Sequence, residues 1–428
     1  MNEKSGKEIR SLLENQVIPP MACVNQLFDN KEISDIEGEM KSVLNRPEFK
    51  AAIKPGMKIA ITAGSRGISN IVSITREVAA FVKNMGGFPF LIPAMGSHGG
   101  ATAEGQKALL EGYGITEESV GAPIHATMEV VKICELENGT PVYIDRYANE
   151  ADGIIVINRI KPHTNFRGNY ESGILKMMAV GLGKQYGADI LHRGDPLKMG
   201  DRVYEFGSAI LRNTQTLFAI GIIENAYDKT YHIAGLTPEE IEKEEPILLE
   251  KSKSLMPKIL FEHLDLLIVD QVGKNISGAG MDPNITHTFF RETGIDTSER
   301  AQRVIVLDLS KETHGAASGL GLSDATTRRA FNKIDINKTY PNSLTVGMTE
   351  SPRIPMVFDS DKLAIQAGIK TATGADKENL RMVRIKDTLH LKEIQISEAL
   401  MKEAVSNPLI EIVEKPKPME FDEEGNLF

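Results

Sequence analysis

The stretch "ADGIIVINRIKPHTNFRGNYESGILK", residues 151–176, decides the fold. Its first half is the apolar run GIIVINR, of strand length and without the alternation of a half-exposed strand. Pro162 biases Lys161 toward an extended backbone, which ends the strand there and lets His163 open a loop. The second half sets His163, Arg167, Tyr170, Glu171 and Lys176 among the glycines Gly168 and Gly173. A buried strand that empties into ionisable side chains fits a doubly wound sheet, whose ligands bind beyond the carboxyl ends of its strands.

The neighbouring sequence keeps that rhythm. "KIAITAG" reads as a strand, "NIVSITREVAAFVKNMG" as a helix closing on a glycine cap, "FPFLIPA" as the next strand and "TAEGQKALLEGYG" as the next helix. "TLFAIGIIE" follows the opening stretch as another strand. "TPEEIEKEEPILLEKSKSLMP" is a charged helix closed by Pro257, and the start, "MNEKSGKEIRSLLENQ", reads as a polar helix. A second alternating series runs through "LDLLIVDQVG", "RAQRVIVLDLS", "GLSDATTRRAF", "NSLTVGM" and "DSDKLAIQAG". The pattern predicts an α/β protein of two α/β domains with mostly parallel sheets and an active-site cleft between them. Residues 1–255 are expected to be the catalytic, cofactor-binding domain, and residues 256–428 a domain closing over the substrate. The acidic tail "EKPKPMEFDEEGNLF" is expected to be loosely ordered.

Composition narrows the function. Forty-nine Lys and Arg against 59 Asp and Glu give a net charge of −10, and no basic cluster suits nucleic acid. No apolar run reaches the roughly 18 residues of a membrane helix, and the start lacks a signal peptide's apolar core. Cys23 and Cys134, the two cysteines, lie too far apart in sequence to suggest a disulfide framework, a zinc ribbon or an iron–sulfur cluster, so the cytoplasm is the expected compartment.

Three strand-end loops carry candidate chemistry. "AGSRGISN" sets Arg66 between glycines ahead of a helix, which suits a carboxylate or phosphate; read alone, it is equally a tight turn with a solvated arginine. "MGSHGGATAEGQ" leaves His98 among Gly96, Gly99 and Gly100, suiting proton transfer, with Thr102 and Glu104 or Gln106 to cap the following helix. In the third loop, apolar Ile174, Leu175, Met177, Met178 and Val180 surround Lys176, which favours a lowered pKa and nucleophilicity; the bland alternative is a snorkelling surface lysine. His192 follows sixteen residues after Lys176. The fold would gather an arginine, three histidines and a lysine into one cleft.

These residues resemble the nickel-dependent lactate racemases and related hydroxyacid racemases and epimerases. The resemblance rests on Arg66 in "SRGIS", His98 in "GSHGGAT", His163 ahead of "SGILK", and the Lys176-to-His192 spacing, over residues 55–195. It implies a nickel-pincer nucleotide, a pyridinium mononucleotide whose sulfur groups grip nickel, joined covalently to Lys176 within Ser172–Gly173–Lys176, with His192 as nickel ligand. It further implies His98 and His163 as general acid–bases, Arg66 as the carboxylate clamp, a 2-hydroxy acid as substrate, and cofactor-biosynthesis proteins as partners needed for activation. The implied reaction is reversible hydride transfer through a 2-keto acid.

Departures stand beside the resemblance. Ala63 occupies the place of an aspartate three residues before the arginine, and there is no tryptophan. "DQVGKNISGAGMDPN" replaces a substrate-binding motif, leaving Lys274 or Asn275 as the candidate contact, so the expected substrate is larger or more polar than lactate. The run "HGAASGLGLSDATTRRAF", with His314 and Asp324, reads either as an anion cradle or as a Gly-rich hinge. Two rivals remain: a zinc hydrolase using His98, His163 and His192, and a non-catalytic binder of anionic metabolites. The first lacks HExxH, and the second has no use for the lysine and three histidines.

Overall fold

The computed structural model describes residues 3–428. The chain divides into two units: Asp29–Met256, and Pro257–Phe428 together with the residues up to Phe28. The first strand, β1 (Met21–Gln26), belongs to the latter. The Asp29–Met256 unit holds β2 (Lys58–Ala63), β3 (Phe88–Pro93), the hairpin β4 (Val130–Glu135) and β5 (Pro141–Asp145), β6 (Gly153–Arg159), β7 (Thr216–Glu224) and β8 (Thr230–Leu236).

Five of these strands form a sheet of order β3-β2-β6-β7-β8, parallel except for antiparallel β8. Its central strands are near-continuous apolar runs because both faces are covered. Ala60, Ile154 and Val156 pack on one face, and Ile59, Ile61, Ile155 and Ile157 on the other. Each such side chain contributes roughly 1.5–3 kcal/mol by leaving water. From β2 the chain steps outward to β3 and then back past β2 to β6, so the strand order reverses between β2 and β6. At such a switch point the carboxyl ends of neighbouring strands part and leave a crevice.

The other unit adds β9 (Leu266–Val272), β10 (Arg303–Leu309), β11 (Ala325–Thr327), β12 (Met356–Phe358), β13 (Met382–Ile385), β14 (Glu393–Ser397) and β15 (Ile410–Lys417). Its sheet runs β12-β11-β10-β9-β13-β14-β1-β15, parallel from β12 to β13 and antiparallel thereafter.

Three expectations change. The chain divides after Met256, near the expected 255, but residues up to Phe28 sit with the C-terminal unit, because β1 pairs with β14 and β15 and buries Ala22 and Val24 in that unit's core. The tail is ordered: β15 pairs β1 from Ile410 to Lys417, Met419, Phe421 and Leu427 pack on the core, and Leu427 N–H donates to Asp361 at 2.8 Å. "NSLTVGM" is the end of a helix, Ile336–Val346, held by an Asp335 cap at one end and left-handed Gly347 at the other.

Candidate active site

The loops after β2, β3 and β6 converge on one helical segment. It starts at Ile174–Lys176, widens into π-type turns over Met177–Leu182 and resumes as Lys184–His192. Such wide turns concentrate at functional sites. The loop after β2 comes so close that a Cβ on Gly64 would stand 3.0 Å from Met177 Cε. Gly96 N–H, after β3, donates to Gly181 O at 3.3 Å, and a Cβ on Gly181 would meet Ala94 O at 2.7 Å. After β6, the Lys161 and Ser172 backbones bond to each other both ways, and Asn158 Nδ2 donates to Gly173 O at 2.7 Å.

Buried carboxylates brace the segment. Glu171 accepts His163 N–H at 2.6 Å and meets Lys253 Nζ at 3.1 Å. Glu245 accepts Leu175 N–H at 3.0 Å, at the start of the turn that carries Lys176. A Cβ on Gly173 would lie 1.9 Å from Glu245 Oε1, so this glycine leaves room for that carboxyl. Burial pushes the Glu245 pKa up to about 7, partly offset by the N–H groups of Leu175 and Ile174. Both Glu245 and Lys253 come from the helix Pro238–Leu255. The sequence reading missed Glu245, although it stands on that helix's apolar stripe with Ile241, Leu248 and Leu249.

The ionisable groups perturb one another. Burial, with help from Arg66 and Lys161, lowers the Lys176 pKa to about 7; Glu171 opposes the shift. Burial first, then Lys176, His192, Lys161 and Arg167, holds the His163 pKa well below 6.5, so its imidazole is neutral at pH 7. His163 Nδ1 accepts Asn165 N–H at 3.1 Å, so the ring's proton sits on Nε2. Burial likewise lowers His192, whose Nδ1–H donates to Ala188 O at 2.6 Å and leaves the lone pair on Nε2. His98 does the same toward Met95 O at 2.8 Å. Arg66 presents exposed surface, yet enough protein surrounds its guanidinium that desolvation lowers its pKa, which fits a concave seat. Tyr113 O–H donates to Ser65 O at 2.9 Å and steadies that loop.

Arg66, Lys176, His163 and His192 are thus within electrostatic reach of one another, together with Lys161, which the sequence reading left out. His98 joins them through its loop's contact with Gly181. Lys274, Asn275, His314 and Asp324 belong to the Pro257–Phe428 unit. Lys274 follows β9 with its N–H on Thr313 at 3.0 Å, and Asn275 Oδ1 accepts Ser310 Oγ–H at 2.6 Å. Asp324 pairs with Arg300 at 2.7 Å, and Gly280 and Gly319 let two backbones touch. Among the described residues no three His, Cys, Asp or Glu side chains form a group able to hold a metal, so the three histidines do not make a zinc centre by themselves. Nor is any helix among the described residues long and apolar enough to cross a membrane.

Residues 13–187 match the lactate racemase N-terminal domain; the match includes Arg66, His98, His163 and Lys176 and ends before His192. Among solved structures the chain is similar to the lactate racemase apoprotein from Thermoanaerobacterium thermosaccharolyticum, with a TM-score of 0.53 and 12% identity over 86% of this chain and 99% of that one. That likeness is one of fold. A Thermotoga maritima protein aligns at a TM-score of 0.46 and 14% identity, over 64% of this chain and 70% of that one. No curated protein matches the chain.

Proposed function

We propose that this chain, whose residues 13–187 match the lactate racemase N-terminal domain, racemises or 2-epimerises a 2-hydroxy acid. The observation that carries the reading is Lys176, an amine brought to about 7 by burial and by Arg66 and Lys161, beside two histidines that burial keeps neutral. Groups perturbed in this way cluster at functional sites.

The residues fit a nickel-pincer nucleotide. Lys176 is substantially neutral, hence nucleophilic, near pH 7 and suits covalent attachment. His192 offers an Nε2 lone pair while its other nitrogen is fixed by a backbone carbonyl, the arrangement typical of a metal-bound histidine. The cations Arg66 and Lys161 suit an anionic group. When bound, the cofactor supplies the hydride acceptor that makes the substrate carbon planar.

The protein's own part follows from its side chains. Arg66 grips the substrate carboxylate with a planar fork. His98, with its lone pair on Nε2, takes the hydroxyl proton of one enantiomer and becomes imidazolium, while His163 returns one on the opposite face from its own imidazolium form and ends as the neutral imidazole described above. The roles exchange in the reverse direction, as a racemase requires. Given Ala63 and the absence of tryptophan, the substrate is a 2-hydroxy acid larger or more polar than lactate. Proteins that build and load the cofactor are the partners. Two free cysteines, far apart in sequence, fit a reducing cytoplasm.

Expression in a host able to make the cofactor tests the reading. Nickel near one per chain and a covalent adduct on the Lys176 peptide are expected in metal analysis and peptide mass spectrometry. Stoichiometric zinc with unmodified Lys176 would instead favour a hydrolase.

A further inference from the structure

Lys184 lies midway between Lys176 and His192, and its side chain is wholly buried. Its backbone is left-handed, φ 53°, which strains any residue with a Cβ. Glycine would relieve that strain but would carry no ammonium. The ammonium has three N–H groups and three partners: Asp145 Oδ2 at 2.9 Å, Gln106 Oε1 at 3.1 Å and the carbonyl of Pro93, the last residue of β3. Asp145 is occupied on its other oxygen by the N–H groups of Tyr147 and Ala148, at 2.7 and 3.1 Å.

Gln106 extends the chain of contacts. It is wholly buried, and its amide donates to Gly96 O at 3.0 Å and His98 O at 3.3 Å. Gly96, Gly99, Gly100 and Ala101 of the loop it holds all adopt positive φ, and the loop's own turn bonds and Gly96 N–H on Gly181 O are its other ties.

We propose that Lys184 and Gln106 are positioning residues, which hold the His98 loop in register with the segment carrying Lys176 and His192. The proposal rests on the racemase reading for its kinetic consequence only; the anchoring itself is independent of it. Stability is a poor reason for such a network, because apolar side chains of similar volume often replace a buried ion pair without loss. Register between two loops is something apolar packing specifies less sharply.

The test begins on the apoprotein with Gln106→Met, which keeps the volume and removes both donations. Backbone amides of residues 95–102 should exchange roughly tenfold faster or more, while strand β2 keeps its protection. In protein loaded with cofactor, kcat should fall by about 10–100-fold with KM held, since a small misplacement of a reacting group has that effect. Gln106→Asn, an amide too short to span Lys184 and both carbonyls, should do the same and replaces the Met variant if that fails to fold. Unchanged exchange over residues 95–102 overturns the proposal, as does a kcat loss no larger than the loss of folded protein. If the loaded wild type racemises no 2-hydroxy acid, the racemase reading falls, and the exchange measurement still decides the anchoring.

Discussion

At the strand ends of the Pro257–Phe428 unit, charges meet their opposites. Arg384 on β13 grips Asp270 on β9 with both nitrogens, at 2.7 and 3.0 Å, while Arg329 and Lys333 converge on Asp308 of β10, and Arg329 reaches Asp361 at 2.9 Å. At the corresponding ends of β2 and β6 in the other unit, like charges gather around Lys176, beside the Arg159–Glu224 and Lys253–Glu171 pairs. Arg66 and Lys161 both disfavour the charged form of Lys176, and Lys176, Lys161 and Arg167 all disfavour a charged His163. Both regions are loops beyond parallel strands with helices nearby. The first is neutralised largely by its own ion pairs, whereas the second, under the proposed function, is the one that receives an anionic cofactor and substrate. Local electrostatics, more than topology, separates the two sheet ends.

The largest test of this contrast lies in the two histidines. His98→Ala and His163→Ala should each slow racemisation by about 10²–10⁴-fold in both directions, the usual contribution of a positioned acid–base. Deuterium at the substrate's C2 should remain on carbon through turnover when product is read by mass spectrometry. Full activity in both variants, or rapid wash-out of the label into water, would break the assignment.

Next in size is Glu245. Its folded pKa of about 7 exceeds the ordinary 4.5, so between those values the folded state holds the extra proton. Stability from this group is therefore greatest below about pH 4.5 and declines as pH rises to about 7, by about 3 kcal/mol across the window. Glu245→Gln should remove that slope from urea unfolding series taken at pH 4.5, 6 and 7.5. An unchanged slope would show the carboxyl to be ionised throughout.

The smallest effect compares two arginines directly. Arg66→Lys should weaken substrate binding by roughly 1.5–3 kcal/mol, seen as a raised KM, with little change in Tm. Arg384→Lys should do the reverse, lowering stability by about 1–3 kcal/mol and leaving KM alone. If Arg384→Lys raised KM as much as Arg66→Lys, the distinction between the two sheet ends would collapse.

The strands β2, β3, β6 and β7 are legible in the sequence because burial on both faces leaves contiguous apolar runs. Arg66, His98, His163 and Lys176 are legible for a related reason, since glycine and proline mark where those runs stop. What sequence conceals is partnership at long range. "MACVNQ" carries no sign that its neighbours are β14 and β15, and "NSLTV" has a strand's residues but obeys its flanking caps. Glu245, Gln106 and Lys184 look like ordinary charged or polar helix residues, and only packing shows that each is buried. Their partners come from other segments of the chain, so no local window contains the reason for them.

The placement of β1 has a consequence in time. The strand ends at Gln26, yet β14 begins at Glu393 and β15 at Ile410. At about 5–20 residues per second, roughly 20 to 70 s pass before its partners exist. Meanwhile the whole of Asp29–Met256, with every strand of its own sheet, has been made. Synthesis therefore favours a finished Asp29–Met256 unit first, with an apolar strand waiting upstream of it. During that interval Met21, Ala22 and Val24, buried in the mature protein, are the segment for a chaperone to shield.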